Sequence, residues 1–420
     1  MRPLFATRVD CRLCRSRRLE TVVPLSAIPA ATPTFAVPGA DQNHPAFTEA
    51  IPLGLDLCRD CGMLQVSVIV SPELTYRNYV YRTSGSLGLA EHFARYAGEV
   101  RESVKPATGA LVVEIGSNDG TLLRCFAEAG HLVLGIDPAE EIARSATASG
   151  VETWPRFFNG ALGREVRAKY GPAQIIIANN VFANIDDLSD LVSGLKELLA
   201  SDGVFVMETQ YGADVITKTL LDTVYHEHLS YFMVRPLQRF FAASGLELID
   251  VQNIWTKGGS IRLGVQHAGG PRRVASSVAR LVADEIRLGM DQPAFYRPLV
   301  EHVASLRARL GELVEAERQR GRGIAGYGVS VGTTTLIAQF DLAAKIDFLM
   351  DDDPRRGDHL IGPGYRLPIR RPSELDLEKT GAVVIFAWRY ADPIMAKHSR
   401  YLAGGGKFIV PLPDVAVHGG

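Results

Sequence analysis

Ala110-Leu-Val-Val-Glu-Ile-Gly-Ser-Asn-Asp-Gly120 is the stretch that decides the fold. The run up to Ile115 is apolar apart from Glu114 and reads as a strand buried on both faces. Gly116 to Gly120 then turns the chain before a helical pattern begins. Three more strand runs follow: Leu132 to Ile136 ending at Asp137, Gln174 to Ala178 ending at Asn179, and Gly203 to Met207 ending at Glu208. Helical stretches separate them. This alternation predicts a parallel sheet with helices on both faces, whose ligands sit at the carboxyl ends of the strands. Leu246 to Ile254 and Ser260 to Gln266 predict an antiparallel pair closing that sheet.

Toward the C-terminus, a long helical pattern from Phe295 to Arg320 leads into Ile324-Ala-Gly-Tyr-Gly328, where the alternation restarts. Strands are expected at Ile346 to Met350, ahead of Asp351-Asp-Asp353, at Ala382 to Ala387 and at Lys407 to Pro411. In the other direction lie a helical spacing from Leu87 to Val104, a strand-like alternation from Ile51 to Cys58, and a segment rich in Pro, Ala and Thr from Pro24 to Phe47 that reads as loop. The expected architecture is α/β: a small N-terminal zinc-binding lobe (1–75) followed by two doubly wound Rossmann-like domains (76–270 and 271–420).

A chain of 420 residues is too long for one core, and its 46% hydrophobic and 22% charged content is that of a globular protein. The net charge of -2 gives no positive field to hold DNA or RNA. The opening residues lack the apolar core of a secretion signal, and no run approaches the roughly 18 apolar residues of a membrane span. A cytoplasmic protein with a small-molecule substrate, monomeric or loosely homo-oligomeric, is expected.

Four of the five cysteines form two pairs, Cys11-x-x-Cys14 and Cys58-x-x-Cys61. In a cytosolic chain such pairs read as metal ligands, and four thiolates make a closed, structural zinc site with no open position for catalysis. Cys125 lies on an apolar helix and reads as core. Arg12, Arg15, Arg17 and Arg18 read as a solvated face. In the glycine turn, Asn118 and Asp119 fill with polar and anionic groups the place where a dinucleotide enzyme keeps a free helix start for phosphates. Asp137, at the end of the next strand, stands where an acid accepts ribose hydroxyls. The turn therefore favours S-adenosylmethionine over NAD. Asp222-Thr-Val-Tyr-His-Glu-His-Leu-Ser-Tyr231 crowds two imidazoles, a carboxylate and two phenols into one short run, which points to proton transfer. A metal-bound His226 and His228 would need a strand there, because i and i+2 share a face only in a strand.

In this order the motifs resemble the sugar C-methyltransferases of deoxysugar biosynthesis, which methylate a carbon of a nucleotide-linked 4-keto sugar. The resemblance spans essentially the whole chain. It rests on both cysteine pairs, with Cys58-Arg-Asp-Cys-Gly-Met-Leu-Gln65, and on Tyr76-Arg-Asn-Tyr-Val-Tyr-Arg-Thr-Ser84. It rests also on the loop Glu114 to Gly120 and on Tyr225-His-Glu-His228. It implies that Glu114, Gly116, Asn118, Asp119, Gly120, Asp137 and Asn179 hold the methyl donor. It also implies that Tyr79, Tyr81, His226, Gly326, Tyr327, Gly328 and Asp351 contact the nucleotide sugar, and that His228 is the general base, assisted by Tyr225 and Glu227. A base can remove the acidic proton beside a ketone while a phenol hydrogen-bonds the developing oxyanion, and the enolate carbon then attacks the sulfonium methyl. The chain departs from the family pattern at Asn184, where relatives carry His. It departs again in Gly326-Tyr-Gly-Val-Ser-Val-Gly332, which lacks the family's Lys.

Three rivals remain at this stage: methylation of another small carbonyl, hydroxyl or amine metabolite; a bifunctional enzyme whose second glycine loop binds NADPH and reduces the ketone; and a zinc-ribbon module recruiting the methyltransferase to nucleic acid or protein. Asp351-Asp-Asp353 would repel the 2'-phosphate of NADPH, and the low net charge speaks against nucleic acid.

Overall fold

The computed structural model describes residues 4–30, 44–76, 83, 88–354, 356–375 and 379–420. The all-buried strand Leu111–Ile115 lies in the interior of a seven-stranded sheet. Across that sheet the order is Leu246–Ile254, Ser260–His267, Leu199–Gln210, Ala173–Asn179, Leu111–Ile115, Leu132–Ile136 and Thr153–Trp154. The last five are parallel and the first two form the expected antiparallel pair. Leu111–Ile115 pairs with Ala173–Asn179 on one side and Leu132–Ile136 on the other, so the chain reverses its winding beside the Gly116 turn. That is the place where a doubly wound sheet opens a crevice for ligands.

A second seven-stranded sheet runs in the order His359–Gly362, Tyr365–Arg370, Phe348–Met350, Gly323–Tyr327, Thr380–Ile385, Lys407–Val410 and Ala416–Gly419. It is parallel except at its two outer strands. The 23-residue helix Arg297–Gln319 buries Leu306, Leu310 and Val314 against it. The helix Ser276–Leu288, on the C-terminal side of the expected boundary at 271, instead places Val278 and Leu281 in the core of the first sheet. That helix thus packs with the first sheet and the long helix with the second.

The N-terminal lobe is built on a four-stranded antiparallel sheet, Ser230–Tyr231, Leu64–Gln65, Ile51–Cys58 and Leu19–Ile28. Two expectations are corrected here. The stretch from Pro24, read as loop, is strand as far as Ile28; Pro24 is tolerated because this strand is the sheet's edge and needs no donor on its outer side. Ser230–Tyr231 belongs in sequence to the middle domain, yet pairs in the lobe's sheet. The catalytic-looking run Tyr225 to Tyr231 is thereby tied to the lobe. Among the described residues no helix is long and apolar enough to cross a membrane.

Candidate active site

The four cysteines converge as expected. Their sulfurs all lie within 4.8 Å of one another, with Cys11 to Cys61 at 3.6 Å and Cys14 to Cys58 at 3.5 Å. A tetrahedron with zinc–sulfur bonds of about 2.3 Å has edges of about 3.8 Å, so this donor set fits zinc with no vacant position. The arginine cluster divides. Arg15, Arg17 and Arg18 are exposed, whereas Arg12 is fully buried, against the reading of a solvated face. Its guanidinium is neutralised by Asp186 and donates to backbone carbonyls, partners that a sequence cannot show.

At the first glycine turn, Gly116 (φ 72°) and Gly120 (φ 74°) adopt left-handed backbone that favours glycine. A Cβ at Gly116 would stand 2.9 Å from the Val181 side chain. Asp137 sits behind the turn, its carboxylate accepting the amides of Asn118 at 2.8 Å and Ala139 at 2.9 Å. Asn179 uses its oxygen for Tyr96 and the Glu208 amide, leaving its buried Nδ2 without a partner. Glu114 is buried, its Oε2 has no partner, and burial together with the charges of Asp137 and Asp119 pushes its carboxyl well above the ordinary range. Three carboxyls around one turn disfavour a phosphate and fit a cationic ligand such as a sulfonium bearing an ammonium group.

The run Tyr225 to His228 is a turn, so the two imidazoles diverge and no paired-histidine metal site forms. His226 Nε2–H donates to the Pro52 carbonyl in the lobe at 3.0 Å. His228 Nδ1 lies 2.8 Å from the Thr223 carbonyl, which can only accept, so Nδ1 carries the proton and Nε2 keeps its lone pair. Tyr225 Oη donates to that Nε2 at 3.1 Å, with the two rings 4.2 Å apart. Burial first, and the charge of Lys257 next, push His228 down to about 3, so the imidazole is neutral at physiological pH. Glu227 is buried, its Oε1 has no partner, and burial raises its carboxyl to about 8, with Lys257 opposing. Asn184 ends a short turn near the strand ends, its buried oxygen also unpartnered.

The C-terminal glycine loop does something the sequence did not announce. A Cβ at Gly332 would lie 2.3 Å from the carbonyl of Asp222, Thr335 Oγ1 donates to the Val224 carbonyl at 2.9 Å, and Arg389 forks onto the Asp222 carboxylate. The loop thus seats the residues just before Tyr225. Its polar groups are already engaged: Asp351 accepts the amides of Val329 and Asp353, Tyr327 donates to Asp352, and Ser330 and Thr333 cap the helix start reciprocally. Gly326 and Gly328 are required by close packing on Phe386 and Ala387. Tyr79 and Tyr81 lie outside the described residues. Sequence reasoning passed over Lys257, held at φ 53° between Thr256 and Gly258, and Gln210, whose buried Nε2 has no partner at a strand's carboxyl end. Gln210 follows the predicted strand by so few residues that its position was the one available signal.

Fold and site together define an S-adenosylmethionine-dependent methyltransferase with a structural zinc centre. Residues 89–251 match the family model of a methyltransferase domain, 255–413 that of the C-methyltransferase C-terminal domain, and 11–76 that of a zinc binding domain. The chain is 31% identical over 409 residues to the C-methyltransferase NovU of Streptomyces niveus, covering 97% of this chain and 96% of that one. It belongs to this family of C-methyltransferases with an N-terminal zinc binding domain. Two solved structures overlap the fold more loosely. The magnesium protoporphyrin IX methyltransferase ChlM from Synechocystis with bound SAH is 17% identical, with TM-score 0.34, covering 43% of this chain and 84% of that one. An S-adenosylmethionine-dependent methyltransferase from Clostridium acetobutylicum is 10% identical, with TM-score 0.35, covering 43% and 92%. Neither bears on the assignment.

Proposed function

We propose that this C-methyltransferase acts on a nucleotide-linked 4-keto-deoxysugar, removing a proton beside the ketone and joining the resulting enolate carbon to the donor methyl. The observation that carries the reading is the neutral His228, whose Nε2 lone pair faces the Tyr225 hydroxyl, with the buried carboxyl of Glu227 preceding it in the chain. S-adenosylmethionine, when bound, would supply an electrophilic methyl on a positive sulfur, and the turn residues Glu114, Gly116, Asn118, Asp119 and Gly120, with Asp137 and Asn179 from the ends of neighbouring strands, would hold it.

His228 Nε2 takes the α-proton. Its own Nδ1–H stays on the Thr223 carbonyl, which steadies the ring as it becomes an imidazolium. Tyr225, displaced from Nε2 by the substrate, donates to the oxygen on which charge develops, and the protonated Glu227 of the same turn is the candidate second donor. The carbon–carbon bond forms as the sulfur–methyl bond breaks, leaving S-adenosylhomocysteine. A second reading has one observation in its favour: a carboxyl raised to about 8 is a stronger base than an imidazole lowered to about 3, so Glu227 is the alternative base.

The test is calorimetric titration with S-adenosylmethionine and S-adenosylhomocysteine, then incubation with a panel of 4-keto nucleotide sugars and analysis of the products by NMR. A new carbon-bound methyl beside the ketone supports the proposal. Transfer to oxygen or nitrogen, or reduction of the ketone with NADPH, would establish one of the rivals instead.

A further inference from the structure

Arg12 lies in sequence between two zinc ligands, Cys11 and Cys14, yet its side chain is spent on other partners and is among the largest fully buried ones of the described residues. Nη1 donates to the Val66 carbonyl at 2.6 Å and to the Leu229 carbonyl at 3.1 Å, and Nε reaches Asp186 at 3.0 Å. The Arg12 amide donates to Gln65 Oε1 at 3.0 Å. Leu229 directly follows His228. The same carbonyl accepts the Val66 amide at 3.0 Å, and Gln65 and Leu64 pair with Ser230 and Tyr231. The other end of the run is fastened to the lobe too, through His226 on Pro52.

Burying a guanidinium is costly, and an apolar side chain of similar size would fill the space without that desolvation. What an apolar residue cannot do is fix a backbone carbonyl in direction. We propose that Arg12 is a positioning residue: through it the zinc-bound knuckle holds the backbone at Leu229, and with it the setting of His228 against Tyr225, so that metal occupancy and catalytic competence are coupled. The last clause rests on the proposed roles of Tyr225 and His228, whereas the mechanical link does not. Without the metal, four thiols have no reason to stay within 4.8 Å of one another, and the knuckle that carries Arg12 loosens.

The test compares full-length, zinc-loaded wild type with Arg12→Met, Arg12→Lys and chelator-treated wild type. It measures zinc content, S-adenosylmethionine affinity, amide hydrogen exchange, methyl-transfer turnover and the imidazole NMR signal of His228, assigned with His228→Asn. Arg12→Met is expected to keep one zinc per chain and its affinity for the donor. Its amides from Tyr225 to Tyr231 should exchange about tenfold or more faster, as loss of a charged hydrogen bond implies, and the His228 signal should move. Arg12→Lys, which keeps a buried cationic donor, should restore part of the protection. If Arg12→Met does not fold, chelated wild type should show the same loss at Tyr225 to Tyr231 while the strand Leu111–Ile115 stays protected. Unchanged exchange at Tyr225 to Tyr231, with deprotection confined to the lobe, would overturn the proposal. Faster exchange there without loss of turnover would leave the link standing and overturn the catalytic reading instead.

Discussion

Tyr225 Oη donates to His228 Nε2 across 3.1 Å while the opposite nitrogen of the same ring is spent on the Thr223 carbonyl. The tautomer is thereby fixed, and in the proposed mechanism the other nitrogen exchanges the phenol for a substrate proton. His228→Ala is expected to lower kcat by about 10²–10⁴-fold, the usual contribution of a general base. Tyr225→Phe should lower it by about 10²-fold through loss of an oxyanion donor. Both should leave donor affinity, read by calorimetry, unchanged. Wild-type turnover in His228→Ala would remove the histidine from the mechanism.

Glu227 yields a pH test that separates the two bases. With its carboxyl at about 8, it is protonated at neutral pH and ionises as pH rises through that value. If it acts as a donor, kcat falls above about pH 8 and Glu227→Gln, which keeps a donor, flattens that limb. If it acts as the base, kcat rises through the same range and Glu227→Gln is inactive. A pH–rate profile of the two proteins decides.

The same residue predicts a stability trend. An unfolded carboxyl loses its proton near its ordinary value of 4.5, whereas the folded one holds it to about 8, so between these values the native state binds more protons. Its contribution is fully present below the lower value and is lost as pH rises to the upper one. Glu227→Gln should therefore melt higher than wild type at pH 9 and show no advantage at pH 4, by thermal unfolding.

Asp137 is pinned by two backbone amides, so its carboxylate is already directed if, as proposed, it holds the methyl donor. Asp137→Ala should weaken S-adenosylmethionine binding by about 10–100-fold, the worth of a charged hydrogen bond. Zinc content should not change. Calorimetry showing full affinity would place the donor elsewhere.

Arg389 and Asp222 join the C-terminal domain to the segment leading into Tyr225. The pair is partly exposed, so Arg389→Met should cost at most about 1 kcal/mol of stability in urea unfolding. Turnover should nonetheless fall, since the loop carrying Tyr225 loses one of its holds. A loss of stability without a loss of turnover would make the pair structural only.

The parallel strands, the glycine turn with Asp137 and the cysteine pairs were legible because each is written locally: apolar runs of strand length, a turn only glycine can make, thiolates two residues apart. The expected strand Leu132 to Ile136 is observed with those bounds, and four sulfurs separated by a long gap meet in one cluster. Arg12 was misread because charge in a cluster resembles solvent exposure until Asp186 and two carbonyls are found beside it. That the C-terminal glycine loop packs on Asp222 and Val224 was not legible, because a glycine turn between strand and helix looks the same in sequence whatever comes close to it.

The sequence by itself determined the strands of the parallel sheets, the doubly wound class, the metal donors and the identity of the residues capable of proton transfer. These follow from periodicity and from the intrinsic chemistry of side chains. Only the tertiary structure decided which nitrogen of His228 is free, that Glu227 is a neutral acid, and that the run bearing both is clamped between the zinc lobe and the C-terminal domain. The physical reason is that protonation state and loop geometry depend on burial and on hydrogen-bond partners brought from more than a hundred residues away, such as Pro52, Arg12 and Arg389.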